Sequence, residues 1–393
     1  MKKIMILGAS VLQLPAILKA KEFGLQVIAV DIDPNAIGFK YADMSLLIST
    51  IDTQKVVHAA IKNKINGIMT LATDLPVRTV AAVARRLNLV GISEDTALLA
   101  TDKAMMRNRF KDYNIPIPEF HKTDNLVEYL NITRLFKDNF IVKPVDNSGS
   151  RGVYWVRSKD DAEKAFTYAK NNSRSGEILI EEFMTGREIS VETLSVHGEV
   201  HVVAITDKLT TGIPNFVEMG HSQPAQFNNI TIDKIMNVAK DAIRAIGIKD
   251  GASHVELMIT NEGPKIIELG ARLGGDCITS HLVPLSTGID MVGNCIKIAL
   301  NEEPDLEIKF KMGSAIRYLR STAGRIKSIN GIEMAAAVKG ICNITIVKNI
   351  GDIVNDINNS NDRVGFVIAQ SNEVFEAIEA CENAMNQINI DYN

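Results

Sequence analysis

The sequence predicts a mixed α/β and α+β chain in three parts: an N-terminal parallel sheet with helices on both faces, a middle stretch of α+β character, and a C-terminal α+β unit. Three observations predict it. The first hundred residues alternate short β-rich runs with amphipathic helical runs, as a parallel sheet requires. From Thr101 to about Asn301 hairpin-like pairs replace that alternation, and from Met312 the pattern resets again. At 393 residues the chain has room for two or three units, on a prior of roughly 150 residues per domain.

Taken in order, Lys3-Ile-Met-Ile-Leu is a buried-strand candidate, Leu12 to Phe23 has helical spacing and stops at Gly24, and Gln26-Val-Ile-Ala-Val is the next strand. Asp52 to Lys64 and Pro76 to Leu87 repeat the helical signal around a strand beginning Gly67-Ile-Met-Thr-Leu. In the middle stretch, Ile141 to Lys143 and Val153 to Val156 flank a polar loop, Asp160 to Lys170 is helical, and Ile178 to Ile180 and Ile189 to Leu194 are strands around a turn at Gly186. Strands near Ala315-Ile-Arg-Tyr-Leu and Phe366-Val-Ile-Ala follow, and a helix from Glu373 to Ile388 closes the chain.

Composition narrows the function. Lys and Arg number 43 against 47 Asp and Glu, a net charge of -4, which gives no electrostatic footprint for nucleic acid or a membrane surface. No stretch approaches the ~18 apolar residues of a membrane span, and the apolar run at the N-terminus ends at Gly8, too short for a signal peptide. Cys277, Cys295, Cys342 and Cys381 form no C-x-x-C, arguing against structural zinc or a disulfide framework. The expectation is a cytoplasmic protein with small-molecule partners.

In a parallel sheet ligands sit beyond the carboxyl ends of the strands, here Gly8-Ala-Ser10 and Asp31-Ile-Asp33-Pro34. Gly8-Ala-Ser-Val-Leu-Gln13 lacks the second and third glycines of a dinucleotide fingerprint, so nicotinamide or flavin chemistry is disfavoured. Gly8 either makes a tight turn only, or places Ser10 and Gln13 against a substrate.

Three constellations carry chemistry. Lys143 precedes Pro144 and the loop Asn147-Ser-Gly-Ser-Arg-Gly152. Gly149 and Gly152 let main-chain NH groups converge on an anion, with Ser148 and Ser150 adding donors; alone, the same loop also reads as a turn. Second, His254-Val-Glu256 and Lys265-Ile-Ile-Glu268 are β-type runs joined by Asn261-Glu-Gly-Pro264, and a hairpin brings the two carboxylates onto one face. Converging carboxylates repel unless a cation compensates them, and hard oxygen ligands suit magnesium bridging to phosphates; the other reading is a solvated pair on an exposed edge. Arg272, four residues on, either binds a developing carboxyl-phosphate or makes a salt bridge to one of the glutamates. Third, Leu179-Ile-Glu181-Glu182-Phe183-Met184 runs into a turn before Glu188, which is either an adenine slot with Glu188 at the ribose or a plain hairpin.

As an ordered set these residues resemble the ATP-grasp superfamily: Lys103 in Thr-Asp-Lys, Lys143 in Ile-Val-Lys-Pro, the Ser148-Gly-Ser-Arg-Gly152 loop, Glu181 to Glu188, then Glu256, Glu268 and Arg272. The resemblance implies a pre-ATP-grasp α/β domain at 1–100, an ATP-grasp domain at 101–304 with a small lid subdomain at about 115–182, and a C-terminal unit at 305–393 completing the large lobe. It implies ATP between two subdomains, Lys103 and Lys143 on its phosphates, and adenine at the main chain around Glu181, Glu182, Phe183 and Met184. Glu256 and Glu268 are implied to hold one or two Mg2+ ions, with Mn2+ as a substitute. The implied reaction joins a small-molecule carboxylate and an amine through an acyl-phosphate.

The tail, with Arg272-Leu-Gly-Gly-Asp276, Ala315-Ile-Arg-Tyr-Leu-Arg320 and Asp362-Arg-Val-Gly-Phe, resembles the carboxylate-amine ligases that include the L-amino-acid ligases. Arg320 is a candidate for a substrate carboxylate. Gly270 departs from the family's usual Asn, so water or Asp276 is left to complete a second metal site. An enzyme activating bicarbonate or formate, as in purine or carbamoyl-phosphate synthesis, is the alternative, with a non-catalytic nucleotide binder behind it. A homodimer is compatible with the compact C-terminal unit.

Overall fold

The computed structural model describes residues 1–136, 139–147, 149, 151–213 and 216–393. The N-terminal alternation forms a parallel sheet in the order Met44–Leu47, Gln26–Asp31, Lys3–Leu7, Gly67–Met69. Its inner strands are apolar from Ile4 to Leu7 and from Val27 to Val30 because both faces are covered. Ile4, Ile6, Val27 and Ala29 pack with Ile17 and with Met291 and Ile296 of the helix Met291–Ala299. The alternate residues Met5, Leu7, Ile28 and Val30 pack with Val56, Ala60 and Val83 from the helices Thr53–Asn63 and Val77–Leu87. Asp52 caps the first of these by accepting from the Lys55 amide at 3.2 Å. The strand at Gly67 is shorter than the sequence pattern predicts and ends at Met69.

The largest sheet is antiparallel among the described residues, in the order Gly263–Gly270, Gly251–Thr260, Arg187–Val196, Glu199–Thr210, Glu218–Gln223, Gly313–Tyr318, Gly365–Ser371, Ile341–Ile346. The helix Asn229–Ile246 covers one face near its first edge, burying Ile235, Ala239, Ile243 and Ile246 against Val191, Val255, Leu257, Ile266 and Leu269. Side chains alternate along a strand, so the residues between these, Ser190, Glu192, His254, Glu256 and Glu268, turn to the opposite face. The register places Glu256 opposite Glu268 and Leu257 opposite Ile266, leaving Ile267 as the extra residue of a bulge. That bulge keeps Glu268 beside Glu256 while Ile266 and Leu269 both reach the core.

Among the elements that the sequence pattern does not single out are the strands Glu199–Thr210 and Glu218–Gln223 and the helix Asn229–Ile246. Thr206, Lys208, His221 and Gln223 interrupt the apolar run of the two strands, and all four are buried. Their polarity belongs to the site rather than to solvent.

A second antiparallel sheet, Phe120–Thr123, Ile178–Glu182, Phe140–Pro144, Tyr154–Val156, is backed by the helices Leu126–Ile132 and Ala162–Asn171. Its core is Tyr129, Phe140, Val142, Phe166, Ile178 and Ile180. The C-terminal residues extend the large sheet, cover it with the helix Val374–Met385, and add a small sheet of Ile353–Val354, Gly324–Asn330 and Asn389–Tyr392. Among the described residues no helix is long and apolar enough to cross a membrane.

Candidate active site

Glu256 and Glu268 stand side by side on neighbouring strands, their side chains 24% and 28% exposed. Cations approach from both sides. Lys103 Nζ donates to Glu268 Oε1 at 2.7 Å, and His254 Nε2 lies 3.1 Å from Glu256 Oε1. Lys208, its side chain only 3% exposed, sits 2.6 Å from Glu188, 3.4 Å from Glu256 and 3.5 Å from Glu218. Burial by itself disfavours that ammonium, but the three carboxylates hold it well above the ordinary lysine range. Burial likewise opposes the Glu256 carboxylate, and Lys208 and His254 reverse this, holding it well below its ordinary value. Burial also lowers His254, yet Glu192, 2.9 Å from Nδ1, brings it up to about 9.

The donor chemistry fits magnesium. Two partly open carboxylates are the protein share such an ion takes, with water and phosphate oxygens filling the rest. Among the described residues no three side chains converge as a ready-made metal cage, the carboxylates around Lys208 being turned to its ammonium.

The second lysine is held differently. Lys143 Nζ lies 2.6 Å from Glu181 Oε2, and Arg107 Nε donates to Glu181 Oε1 at 2.7 Å. Burial would raise Glu181, but Arg107 and Lys143 pull it down to about 2. Lys143 stays below the ordinary lysine range, because burial outweighs Glu181 and the nearby cations Arg107 and Lys103 add to it. The lysine is short of compensating negative charge. The following loop is fastened at its base, where Asn147 O accepts from Lys103 Nζ at 2.6 Å and Asn147 Nδ2 donates to Asn172 O at 2.9 Å. Gly152 has φ +82°, and a Cβ there would lie 2.6 Å from Asn172 Cβ, so this position needs glycine. Gly149 also has positive φ and faces open space. Ser148 and Ser150 lie outside the described residues.

Glu181 and Glu182, whose main chain is expected at adenine, belong to a strand paired on both sides, and the Glu181 side chain is engaged by Arg107 and Lys143. The Glu182 carboxylate accepts from the Glu119 amide at 3.2 Å and meets Lys265 Nζ at 3.4 Å. Phe183 and Met184 follow the strand's end, and Phe183 stacks on Trp155 with centroids 5.1 Å apart. Glu188, expected at a ribose, turns its carboxylate to Lys208.

Arg272 makes no salt bridge to either glutamate. It grips Asp74, from the loop after the last parallel strand, with Nε–Oδ1 at 3.0 Å and a second contact at 3.3 Å. At Gly270 a Cβ would lie 3.1 Å from Arg272 Cζ and 3.1 Å from Asp74 Oδ1, so a side chain there would press on that pair. Asp276 is not free to complete a metal site. Arg363 clamps it at 2.8 and 2.9 Å while lying 3.7 Å over the Tyr318 ring, and buried His221 stands 3.5 Å away. Burial would raise Asp276, and His221 and Arg363 hold it well below the carboxylate range. Ser10 is exposed and donates to Gln13 Oε1 at 2.7 Å. Arg320 is exposed beyond the end of its strand, apart from the carboxylate pair.

Sequence reasoning missed Arg107, Lys208, Asp74 and His221 as site residues. No spacing rule marks them, because each reaches the site from a different element. His254 and Arg363 stood in quoted motifs without a role, and alternation with buried apolar neighbours was the available signal.

Residues 136–280 match the ATP-grasp domain, and residues 317–393 match the L-amino acid ligase C-terminal domain 2. The chain thus carries an ATP-grasp domain followed by a domain matching the C-terminal part of L-amino acid ligases. It is 24% identical over 314 residues to an L-arginine-specific L-amino acid ligase of Bacillus subtilis, covering 77% of this chain and 75% of that one. It is 27% identical to an uncharacterized protein of Sinorhizobium fredii over 77% of this chain, a match spanning 63% of that relative's length. In structure it resembles phosphoribosylglycinamide synthetase from Anaerococcus prevotii (26% identity, TM-score 0.82, all of both chains). It also resembles an L-amino acid ligase from Bacillus licheniformis (22% identity, TM-score 0.87, 100% and 99% of the chains).

Proposed function

We propose that the protein joins the carboxylate of one amino acid to the amine of a second amino acid or small peptide, converting ATP to ADP and phosphate. The observation that carries the reading is the Glu256–Glu268 pair flanked by Lys103, with Arg272 four residues beyond on the same strand end. Magnesium, when bound by Glu256 and Glu268, screens the triphosphate and polarises its terminal phosphoryl group.

Lys103 and Lys143 hold the phosphate oxygens. A substrate carboxylate oxygen attacks the γ-phosphorus; the bond to the β,γ-bridging oxygen breaks, and ADP leaves with the electron pair. Arg272, oriented by Asp74, faces the resulting acyl-phosphate and offsets its charge. The amine attacks the acyl carbon, phosphate departs, and the amine's proton passes to phosphate or water.

Two features favour amino-acid substrates: the C-terminal match to L-amino acid ligases, and a buried polar region lined by His221, Asp276 and Arg363. His221 Nε2 meets Asp276 at 3.5 Å, while its Nδ1 has no hydrogen-bond partner among the described residues and is left for a polar ligand. The likeness to phosphoribosylglycinamide synthetase supports a second reading, activation of a small acid for a ribotide amine. Phosphate release measured across amino-acid pairs, and then with bicarbonate, formate or glycine plus a ribotide or ribosylamine phosphate, separates them. Release with an amino-acid pair alone is expected. Silence with every amino acid would sink the leading reading, and ATP binding without any turnover would leave a non-catalytic protein.

A further inference from the structure

Arg107 is among the most deeply buried large side chains, only 1% exposed, and no sequence motif draws attention to it. A buried guanidinium is costly unless its partners are well placed. Its partners here lie on two different sheets. Nε donates to Glu181 Oε1 at 2.7 Å in the smaller sheet, and a terminal nitrogen donates to Ile267 O at 2.6 Å in the larger one. Ile267 is the bulge residue between Ile266 and Glu268, and the bulge takes it out of the regular pairing, so its carbonyl is available to a side chain.

Arg107 lies on the helix Lys103–Asp112, one turn after Lys103, and residues four apart share a helix face. Lys103 repeats the pattern one turn earlier. Its amide donates to Val145 O at 2.8 Å, beyond the smaller sheet's Lys143, and its Nζ reaches Glu268 in the larger sheet. Two successive turns of one helix thus stitch together the sheet that carries Lys143 and the strand that carries Glu268.

We propose that Arg107 is a positioning residue: through Glu181 it sets Lys143, and through the Ile267 bulge it fixes the distance between that lysine and the Glu268 carboxylate. This rests on the reading of Lys143 as a phosphate-binding group. Glu181 then acts as the intermediate, held on one oxygen by Arg107 and presenting the other to Lys143. Without Arg107, Glu181 is free to draw Lys143 away from the phosphates.

The test is calorimetric titration of the full chain with MgATP, and separately with ADP in the absence of magnesium, for the unmodified protein, Arg107→Met, Arg107→Lys, Glu181→Gln and Lys143→Ala. MgATP affinity should fall about ten-fold or more in Arg107→Met, the scale on which loss of an outer partner of a charged ligand group acts. Arg107→Lys should recover part of the loss, because an ammonium restores charge without reaching both partners. Magnesium-free ADP affinity should also fall, since the lysine and not the ion is disturbed. Unchanged affinity in Arg107→Met or Glu181→Gln, with Lys143→Ala weakened, overturns the proposal. Unchanged affinity in Lys143→Ala instead overturns the reading beneath it. Glu181→Gln keeps side-chain volume, so it decides the matter if Arg107→Met does not fold. A purely structural Arg107 would lower the melting temperature while leaving the affinity of the folded fraction intact, and that result also overturns the proposal.

Discussion

Two buried charge clusters flank the site, and they are built in opposite proportion. Around Glu181, two cations share one carboxylate; around Lys208, one ammonium serves three. Both are expensive to bury, and a self-sufficient fold has no reason to leave either unbalanced. The difference teaches where each class of ligand belongs. Spare positive charge at Lys143 and Arg107 suits phosphates, and spare negative charge around Lys208 suits a divalent ion or a substrate ammonium group. Lys103 joins the two, since it belongs to the first cluster's helix and pairs with a carboxylate of the second.

The strongest way to break this comparison is Lys208→Met. It leaves Glu188, Glu218 and Glu256 facing one another without their shared cation, and a loss of about 3 kcal/mol or more is expected from urea unfolding at neutral pH. A change under about 1 kcal/mol would mean the carboxylates are solvated rather than dependent on the lysine.

Acid sharpens the other cluster. Glu181 is held at about 2 against an ordinary 4.5, so the folded pKa is the depressed one. Its contribution is complete above about pH 4.5 and is lost as pH falls from there toward about 2. At 1.36 kcal/mol per unit this is of the order of 3 kcal/mol. In Glu181→Gln, stability at neutral pH should be lower and the slope between pH 4.5 and 2 shallower; an unaltered slope would show that other carboxylates set the acid limit.

The smallest effect is expected at Arg320. Exposed and outside both clusters, it should cost less than about 0.5 kcal/mol on replacement by alanine, with the KM of either organic substrate moving less than about two-fold. A ten-fold rise in one KM would support the substrate role its motif implies.

Much of the fold was legible because periodicity reports burial. Met5, Leu7, Ile28 and Val30 alternate with Ile4, Ile6, Val27 and Ala29 in runs that only a doubly covered parallel sheet explains. The hairpin carrying Glu256 and Glu268 was equally readable, since two strands and a short turn leave few registers. The strands holding Lys208 and His221 were not, because residues facing a charged site break the very alternation that identifies a strand. Asp276 and Glu188 show the same limit from the other side. Their positions were marked by motifs, but their partners, Arg363 and Lys208, are long-range contacts.

By itself the sequence determined which residues have the chemistry for the site and on what kind of element each one rides, because residue type and local spacing are properties of a short segment. Only the tertiary structure decided which charge answers which. Arg272 went to Asp74 and not to a glutamate, Asp276 to Arg363, and Arg107 to two sheets at once. Charge pairing under burial is settled by distance and desolvation, and both exist only after the sheets have packed.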